Sequence, residues 1–208
     1  MFVKICGITR LEDAEAAVAL GANALGFVFW PKSPRYIDPY RARAIVASLP
    51  PFVSAVGLFV NQPAVHVASV ASLARLGVVQ LHGDETPEEA ATLGRPIVRA
   101  LSLEAAGRGL DRWPPRVTIL LDAHDPERRG GTGRTIDWDA AAAIARRRRV
   151  VLAGGLNPDN IAAAVERVRP FGVDVSSGVE SAPGLKDVRR LRALFENLHG
   201  IDKTTTRS

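Results

Sequence analysis

Short apolar, β-branched runs alternate with Ala- and Leu-rich amphipathic segments from one end of this chain to the other, and that repeat constrains the fold more than any other feature. The runs fall at residues 2–6, 24–29, 53–60, 77–81, 97–101, 117–122, 150–153 and 172–175 and read as strands. The spacing predicts helices over 11–20, 39–49, 63–76, 87–93, 138–147, 158–168 and 186–198, while Gly107 and Gly109 interrupt the helical pattern at 103–113. Thr9 with Glu12, and Thr86-Pro87 with Glu89, have the spacing of capping boxes, and Asp38-Pro39 and Asn157-Pro158 would put proline at the first helical position. Strand-then-helix units with no linker or low-complexity insert predict a single closed (β/α)8 barrel rather than an open doubly wound sheet. In 208 residues such a barrel needs short loops, with a barrel domain at 1–200 and a basic, disordered tail at 201–208.

Composition excludes several classes of function. With 47% hydrophobic and 24% charged positions the chain reads as globular. Its one cysteine, Cys6, forbids an internal disulfide and points to a reducing cytoplasm. The most apolar early stretch, 22–30, is far shorter than the roughly 20 residues of a membrane span, so neither insertion nor secretion is expected. A net charge of +5 raises the question of nucleic acid. The run Arg146 to Arg149, Arg189, Arg190, Arg192 and the tail read instead as solvated faces and fraying ends. At 6% aromatics, with no stacking stripe on a basic face, a nucleic-acid partner is not expected.

In a (β/α)8 barrel the loops after the strands build the site, so the strand ends matter most. The first ends Lys4-Ile5-Cys6-Gly7, and the two-residue period puts Lys4 and Cys6 on one face. An ammonium there makes the thiol more readily ionised, fit to act as base or nucleophile; an isolated cysteine is more often just a small buried hydrophobe. The sixth run ends in Asp122, where partial burial favours a neutral, proton-donating carboxyl; an N-cap or a loop salt bridge is the alternative. Two glycine-bearing loops, at Gly154-Gly155 and Ser177-Gly178, follow the last two strands, a frequent phosphate site because glycine lets backbone N–H groups approach an anion. Gly130-Gly131-Thr132-Gly133 adds a flap or a third phosphate contact. Gln80 and His82 share one face of the fourth strand, and no second His or Cys lies at metal-ligand spacing, so no metal is expected. Arg35, in the loop after the second strand, is either a surface residue or a clamp for a carboxylate.

Together, Lys4-Ile5-Cys6-Gly7, Ser33-Pro34-Arg35, Gln80-Leu81-His82-Gly83, Leu121-Asp122, Ala153-Gly154-Gly155-Leu156 and Asp174-Val175-Ser176-Ser177-Gly178-Val179-Glu180 resemble, in order, the phosphoribosylanthranilate isomerase family up to about Phe195. The resemblance implies a barrel of the ribulose-phosphate-binding type and a cofactor-free Amadori rearrangement in tryptophan biosynthesis. It implies Asp122 as general acid and Cys6 as general base. Arg35 would then hold the anthranilate carboxylate, and Gly154, Gly155, Ser177 and Gly178 the phosphate, with His82 and Asp174 lining the pocket. The expected partner is the small-molecule substrate N-(5-phosphoribosyl)anthranilate, with no membrane, and the protein would be a monomer or a homodimer. Indoleglycerol-phosphate synthase or a pentose-phosphate epimerase would share the phosphate loops. Those would present Lys and Glu, or paired aspartates with metal-binding histidines, which these strand ends lack.

Overall fold

The structure is a computed structural model that describes residues 1–123 and 136–205, with side chains described up to residue 200. Eight parallel strands, β1 (Phe2–Cys6), β2 (Ala24–Val28), β3 (Ser54–Phe59), β4 (Val78–Leu81), β5 (Ile97–Leu101), β6 (Thr118–Leu121), β7 (Val150–Leu152) and β8 (Gly172–Val175), close into a barrel in sequence order. Closure pairs the first strand with the last, Lys4 opposite Asp174 and Ile5 opposite Val175. The helices are α1 (Leu11–Ala19), α2 (Pro39–Ala47), α3 (Ala64–Leu73), α4 (Pro87–Ala91), α5 (Leu103–Gly109), α6 (Trp138–Ala145), α7 (Ile161–Val168) and α8 (Val188–Thr205). A short hairpin of β9 (Glu180–Ala182) and β10 (Leu185–Lys186) follows β8.

The two-residue period of the strands sorts their side chains into two layers. Ile5, Leu25, Phe27, Phe59, Leu81, Ile119, Leu121, Val173 and Val175 pack outward against helix residues such as Ala14, Ala17, Ile45, Val67 and Leu194. The alternate positions fill the barrel interior with two small apolar groups. One holds Cys6, Val28, Leu58 and Val60, and the other Ala100, Leu120, Val151 and Ala153. Buried polar residues Lys4, Gln80 and Asp174 belong to the same inward set.

The helix starts show which sequence signals the tertiary structure kept. Thr86 and Glu89 form the expected capping box, and Asp38 accepts from Tyr40 N and Arg41 N with Pro39 at the first turn. Thr9 does not cap α1. Its hydroxyl donates to Gly184 O at 2.5 Å, Arg10 holds the N-cap position, and the expected box with Glu12 gives way to a long-range contact with the hairpin. Asn157-Pro158 opens a turn rather than a helix. Asn157 Oδ1 accepts from Asp159 N and Asn160 N, and α7 begins only at Ile161. The glycine-interrupted segment is helical after all, because Ser102 caps it by accepting from Ala105 N.

The arginine run is not merely a solvated face. Arg148 donates to the carbonyls of Leu110, Trp113, Pro114 and Val117, tying the end of α6 to the chain before β6. Arg149 lies 3.9 Å over the Phe171 ring. The last helix continues past residue 200, and residues 206–208 lie outside the described ones.

Two glycines give opposite expectations for added volume. A Cβ on Gly57 would meet Leu76 Cδ1 at 2.3 Å and Phe59 Cε2 at 2.9 Å, so Gly57→Ala should destabilise by about 1–3 kcal/mol through overpacking. Gly107 within α5 has open space around it, and Gly107→Ala should stabilise by about 0.5–1 kcal/mol. Urea unfolding of both variants checks the signs; equal effects would contradict the packing described.

Candidate active site

The strand that begins the chain delivers the first reactive group. Cys6 ends β1, buried, and Lys4 sits two residues earlier on the same face. A Cβ on the neighbouring Gly26 of β2 would meet Cys6 Sγ at 2.7 Å and Lys4 Nζ at 3.1 Å, so the glycine vacates the space that both side chains occupy. Lys4 Nζ donates to Asp174 Oδ1 at 2.9 Å across the β1–β8 seam. Burial pushes the Cys6 thiol above its ordinary value, with Asp174 adding to the rise, although Lys4 and Lys186 pull it down. Lys4 therefore acts in the direction its position suggested, but desolvation outweighs it, and the thiol is harder rather than easier to ionise. Burial works against the Lys4 ammonium too, yet Asp174 and Cys6 raise its pKa on balance.

The second reactive group stands three strands away around the ring. Asp122 follows β6 and is held at both oxygens: Ala123 N donates to Oδ1 at 2.8 Å, and His82 Nε2 lies 3.3 Å from Oδ2. Gln80 Nε2 is 3.2 Å from His82 Nδ1, so an amide donating there leaves the imidazole proton on Nε2, directed at Asp122. Among the described residues Asp122 caps no helix and pairs with no Lys or Arg. It is the end of a side-chain chain from Gln80 through His82.

The glycine loops meet at one side of the same mouth. Gly154 and Gly155 have φ of +83° and +64°, conformations that favour glycine. Gly155 O accepts from Asn160 Nδ2 at 3.0 Å, which fixes the turn. Gly178 lies against this loop, since a Cβ on it would meet Leu156 O at 2.0 Å and Asn157 Cβ at 2.8 Å. Gly178 therefore joins the two loops, while Ser176 and Ser177 face the opening. The segment Gly130-Gly131-Thr132-Gly133 lies outside the described residues.

Arg35 reaches the site over Gly7, whose φ of +79° and missing Cβ leave room for the arginine stem, 2.7 Å from where a Cβ would stand. Its guanidinium is no free surface group. Nε and Nη2 donate to Glu180, with the shortest contact 2.7 Å from Nη2 to Oε2. Burial works to raise the Glu180 carboxyl, but Arg35 and Lys186 hold it below the usual range.

One pocket of about 420 Å³ gathers Cys6, Arg35, His82, Asp122, Gly154, Gly155, Asp174 and Ser177 from six different strand ends. Of the residues expected from sequence, Gly178 alone does not line it. Sequence reasoning missed Glu180 and Lys186 as part of the site. Glu180 stands inside the last quoted motif, where its charge was a usable signal, whereas Lys186 on the hairpin gave none. The pocket combines a buried thiol, a carboxyl across from it, a guanidinium at one edge and glycine turns at another. That set suits proton transfer on an anionic substrate gripped at two ends. Among the described residues no cluster of His, Cys, Asp or Glu is arranged to hold a metal ion.

Comparison with known proteins places this geometry. The family model described as N-(5'phosphoribosyl)anthranilate (PRA) isomerase matches residues 3–197. The N-(5'-phosphoribosyl)anthranilate isomerase of Geobacter metallireducens is 54% identical over 192 residues, covering 91% of this chain and 95% of the relative. The crystal structure of phosphoribosyl anthranilate isomerase from Thermus thermophilus superposes with a TM-score of 0.88 at 47% identity, over 97% of this chain and all of the other (100%). A further isomerase structure, in complex with reduced 1-(o-carboxyphenylamino)-1-deoxyribulose 5-phosphate, has a TM-score of 0.85 at 43% identity and covers 96% of this chain and 99% of its own.

The ion pair beside Cys6 makes a titration prediction. Removing the Lys4 ammonium leaves burial and Asp174, which both favour the neutral thiol, so Lys4→Met should move the thiol's ionisation to still higher pH. The pH dependence of iodoacetamide alkylation, with folding checked by circular dichroism, measures it. An unmoved or downward-shifted limb would remove Lys4 from any role in tuning Cys6.

Proposed function

Because the chain belongs to the phosphoribosylanthranilate isomerase family, we propose that Asp122 and Cys6 are the acid and base of its reaction. The enzyme catalyses the Amadori rearrangement of N-(5-phosphoribosyl)anthranilate to 1-(2-carboxyphenylamino)-1-deoxyribulose 5-phosphate, in tryptophan biosynthesis. Protonated Asp122 gives its proton to the furanose ring oxygen. The C1–O bond breaks as the anilino nitrogen's lone pair forms an iminium at C1. Cys6, as a thiolate once its own proton has passed to solvent at the pocket mouth, then removes the C2 proton, and the C–H electrons flow into a C1–C2 double bond as the iminium is neutralised. The resulting enolamine tautomerises to the C2 ketone.

The order of the steps suits the raised thiol. Before ring opening burial keeps Cys6 protonated more than an ordinary cysteine. The iminium is a new positive charge in the pocket, which favours the thiolate and acidifies the C2 proton at the same moment. The burial of Cys6 strengthens that attraction. Arg35 would take the anthranilate carboxylate, and the turns at Gly154-Gly155 and Ser177-Gly178 the phosphate, so that the ribose is held from both ends. His82 and Asp174 complete the wall, His82 steadying Asp122 and Asp174 balancing Lys4. The observation that carries this reading is the opening of Cys6 and Asp122 into one pocket, flanked by Arg35 and by the glycine loops. The cytoplasm, where the lone thiol stays reduced, is the proposed compartment; no helix among the described residues is long and apolar enough to cross a membrane.

An assay of freshly made substrate without added metal, following loss of its fluorescence, tests the pair. Cys6→Ser and Asp122→Asn should each lower kcat/KM by about 10²- to 10⁴-fold while remaining folded. Near-wild-type turnover in either folded variant would take that residue out of the acid–base chemistry.

A further inference from the structure

The only acidic group that Arg35 contacts among the described residues is a buried carboxylate that the reaction itself does not use. Glu180 is 5% exposed, and its oxygens accept from Arg35 Nε, Arg35 Nη2, Lys186 Nζ at 2.9 Å and Gly184 N at 3.3 Å. Lys186, fully enclosed, also donates to Cys6 O at 2.5 Å and to Ser176 O at 3.2 Å. Its own backbone N–H donates to Asp13, which Arg10 pairs in turn. The cluster therefore fastens the end of β1, the loop after β8, the hairpin and the start of α1 around one carboxylate.

A guanidinium has five N–H donors arranged along distinct edges. Glu180 occupies the edge formed by Nε and Nη2. Among the described residues Nη1 donates to none, so the outer fork of Nη1 and the second Nη2 proton has no protein acceptor among them, and Arg35 lines the pocket. The charges agree with that division. Arg35, Lys186 and Glu180 together carry one net positive charge, which a single incoming carboxylate neutralises. A buried ion pair with several hydrogen bonds fixes a side chain more firmly than an exposed one can.

We propose that Glu180 is the positioning residue of Arg35: by holding the Nε–Nη2 edge, it presents the outer guanidinium fork to the substrate's anthranilate carboxylate. Lys186 supports it by holding Glu180 Oε1 and by keeping the cluster's charge positive. This rests on the reading of Arg35 as the carboxylate's partner. Glu180 touches no reacting atom; it acts on recognition of the aromatic end, and through that on the alignment of C2 with Cys6.

The experiment compares N-(5-phosphoribosyl)anthranilate with N-(5-phosphoribosyl)aniline, which lacks the carboxylate, in wild type, Glu180→Gln and Arg35→Met, each checked for folding by urea unfolding. Glu180→Gln should lower kcat/KM for the anthranilate substrate by about 10- to 100-fold, mainly through KM, a loss of the size expected for a misplaced binding group. For the aniline substrate it should change kcat/KM by less than about twofold, because the group that Arg35 would grip is missing. Equal losses on both substrates would make Glu180 a structural residue only and overturn the proposal, as would no loss on either. Arg35→Met separates the two readings. If it too fails to distinguish the substrates, Arg35 is not the carboxylate's partner; if it distinguishes them while Glu180→Gln does not, the positioning role alone is wrong. Should Glu180→Gln not fold, Glu180→Asp, which withdraws the charge by one methylene, carries the same comparison with the same expected selectivity.

Discussion

The ion pair between Lys4 and Asp174 is the contact on which the rest of the molecule turns. It joins residues 170 positions apart in sequence and spans the seam where the first strand meets the last. Both groups are nearly shielded from water, at 3% and 9% exposure. A buried charge left without its partner is strongly unfavourable, so the pair is satisfied only in the register that closes the barrel. That register also places Cys6 at the mouth, one inward position above Lys4. Closure of the fold and placement of the Cys6 thiol are thus consequences of one contact, and Gly26 supplies the space that lets both side chains occupy the lumen.

Around that seam the structure separates stability from chemistry. The apolar layer between sheet and helices is continuous, while the lumen holds two small apolar groups separated by polar side chains. The lumen thus carries the charges of Lys4 and Asp174 inside a continuous outer apolar layer. At the rim, the glycine turns and Arg35, which the Glu180–Lys186 cluster holds, line the same pocket as Cys6 and Asp122 and are the two anchors proposed for the substrate. Two separated anchors fix the orientation of a substrate that neither would orient alone.

The barrel was legible because its signal is repeated eight times and does not hang on any single boundary. Strand ends could be read for the same reason: Lys4, Cys6, Gln80, His82 and Asp122 lie within or just beyond regular strands, where alternation assigns a face. Local helix signals were less secure. Thr86 met Glu89 as expected, but Thr9, with the same spacing to Glu12, bonds Gly184 instead, since a hairpin from the far end of the chain lies within reach. The same limit hid the role of Arg148, whose carbonyl partners lie more than 30 residues earlier. It hid the partnership of Arg35 with Glu180, separated by 145 positions. The thiol's direction of shift was misread for a different reason: the neighbour Lys4 can be seen in sequence, but the depth of burial that outweighs it cannot.

In the proposed reaction Asp122 opens the ring and Cys6 then takes the C2 proton, so the two residues govern successive steps. The most direct test is the isotope effect on kcat/KM for substrate deuterated at C2, measured in wild type, Cys6→Ser and Asp122→Asn. Weakening the base makes C–H cleavage limiting, so the isotope effect in Cys6→Ser should be larger than in wild type. Weakening the acid makes ring opening limiting, so the effect in Asp122→Asn should fall toward unity. An isotope effect that vanishes in Cys6→Ser, or grows in Asp122→Asn, would contradict the assignment.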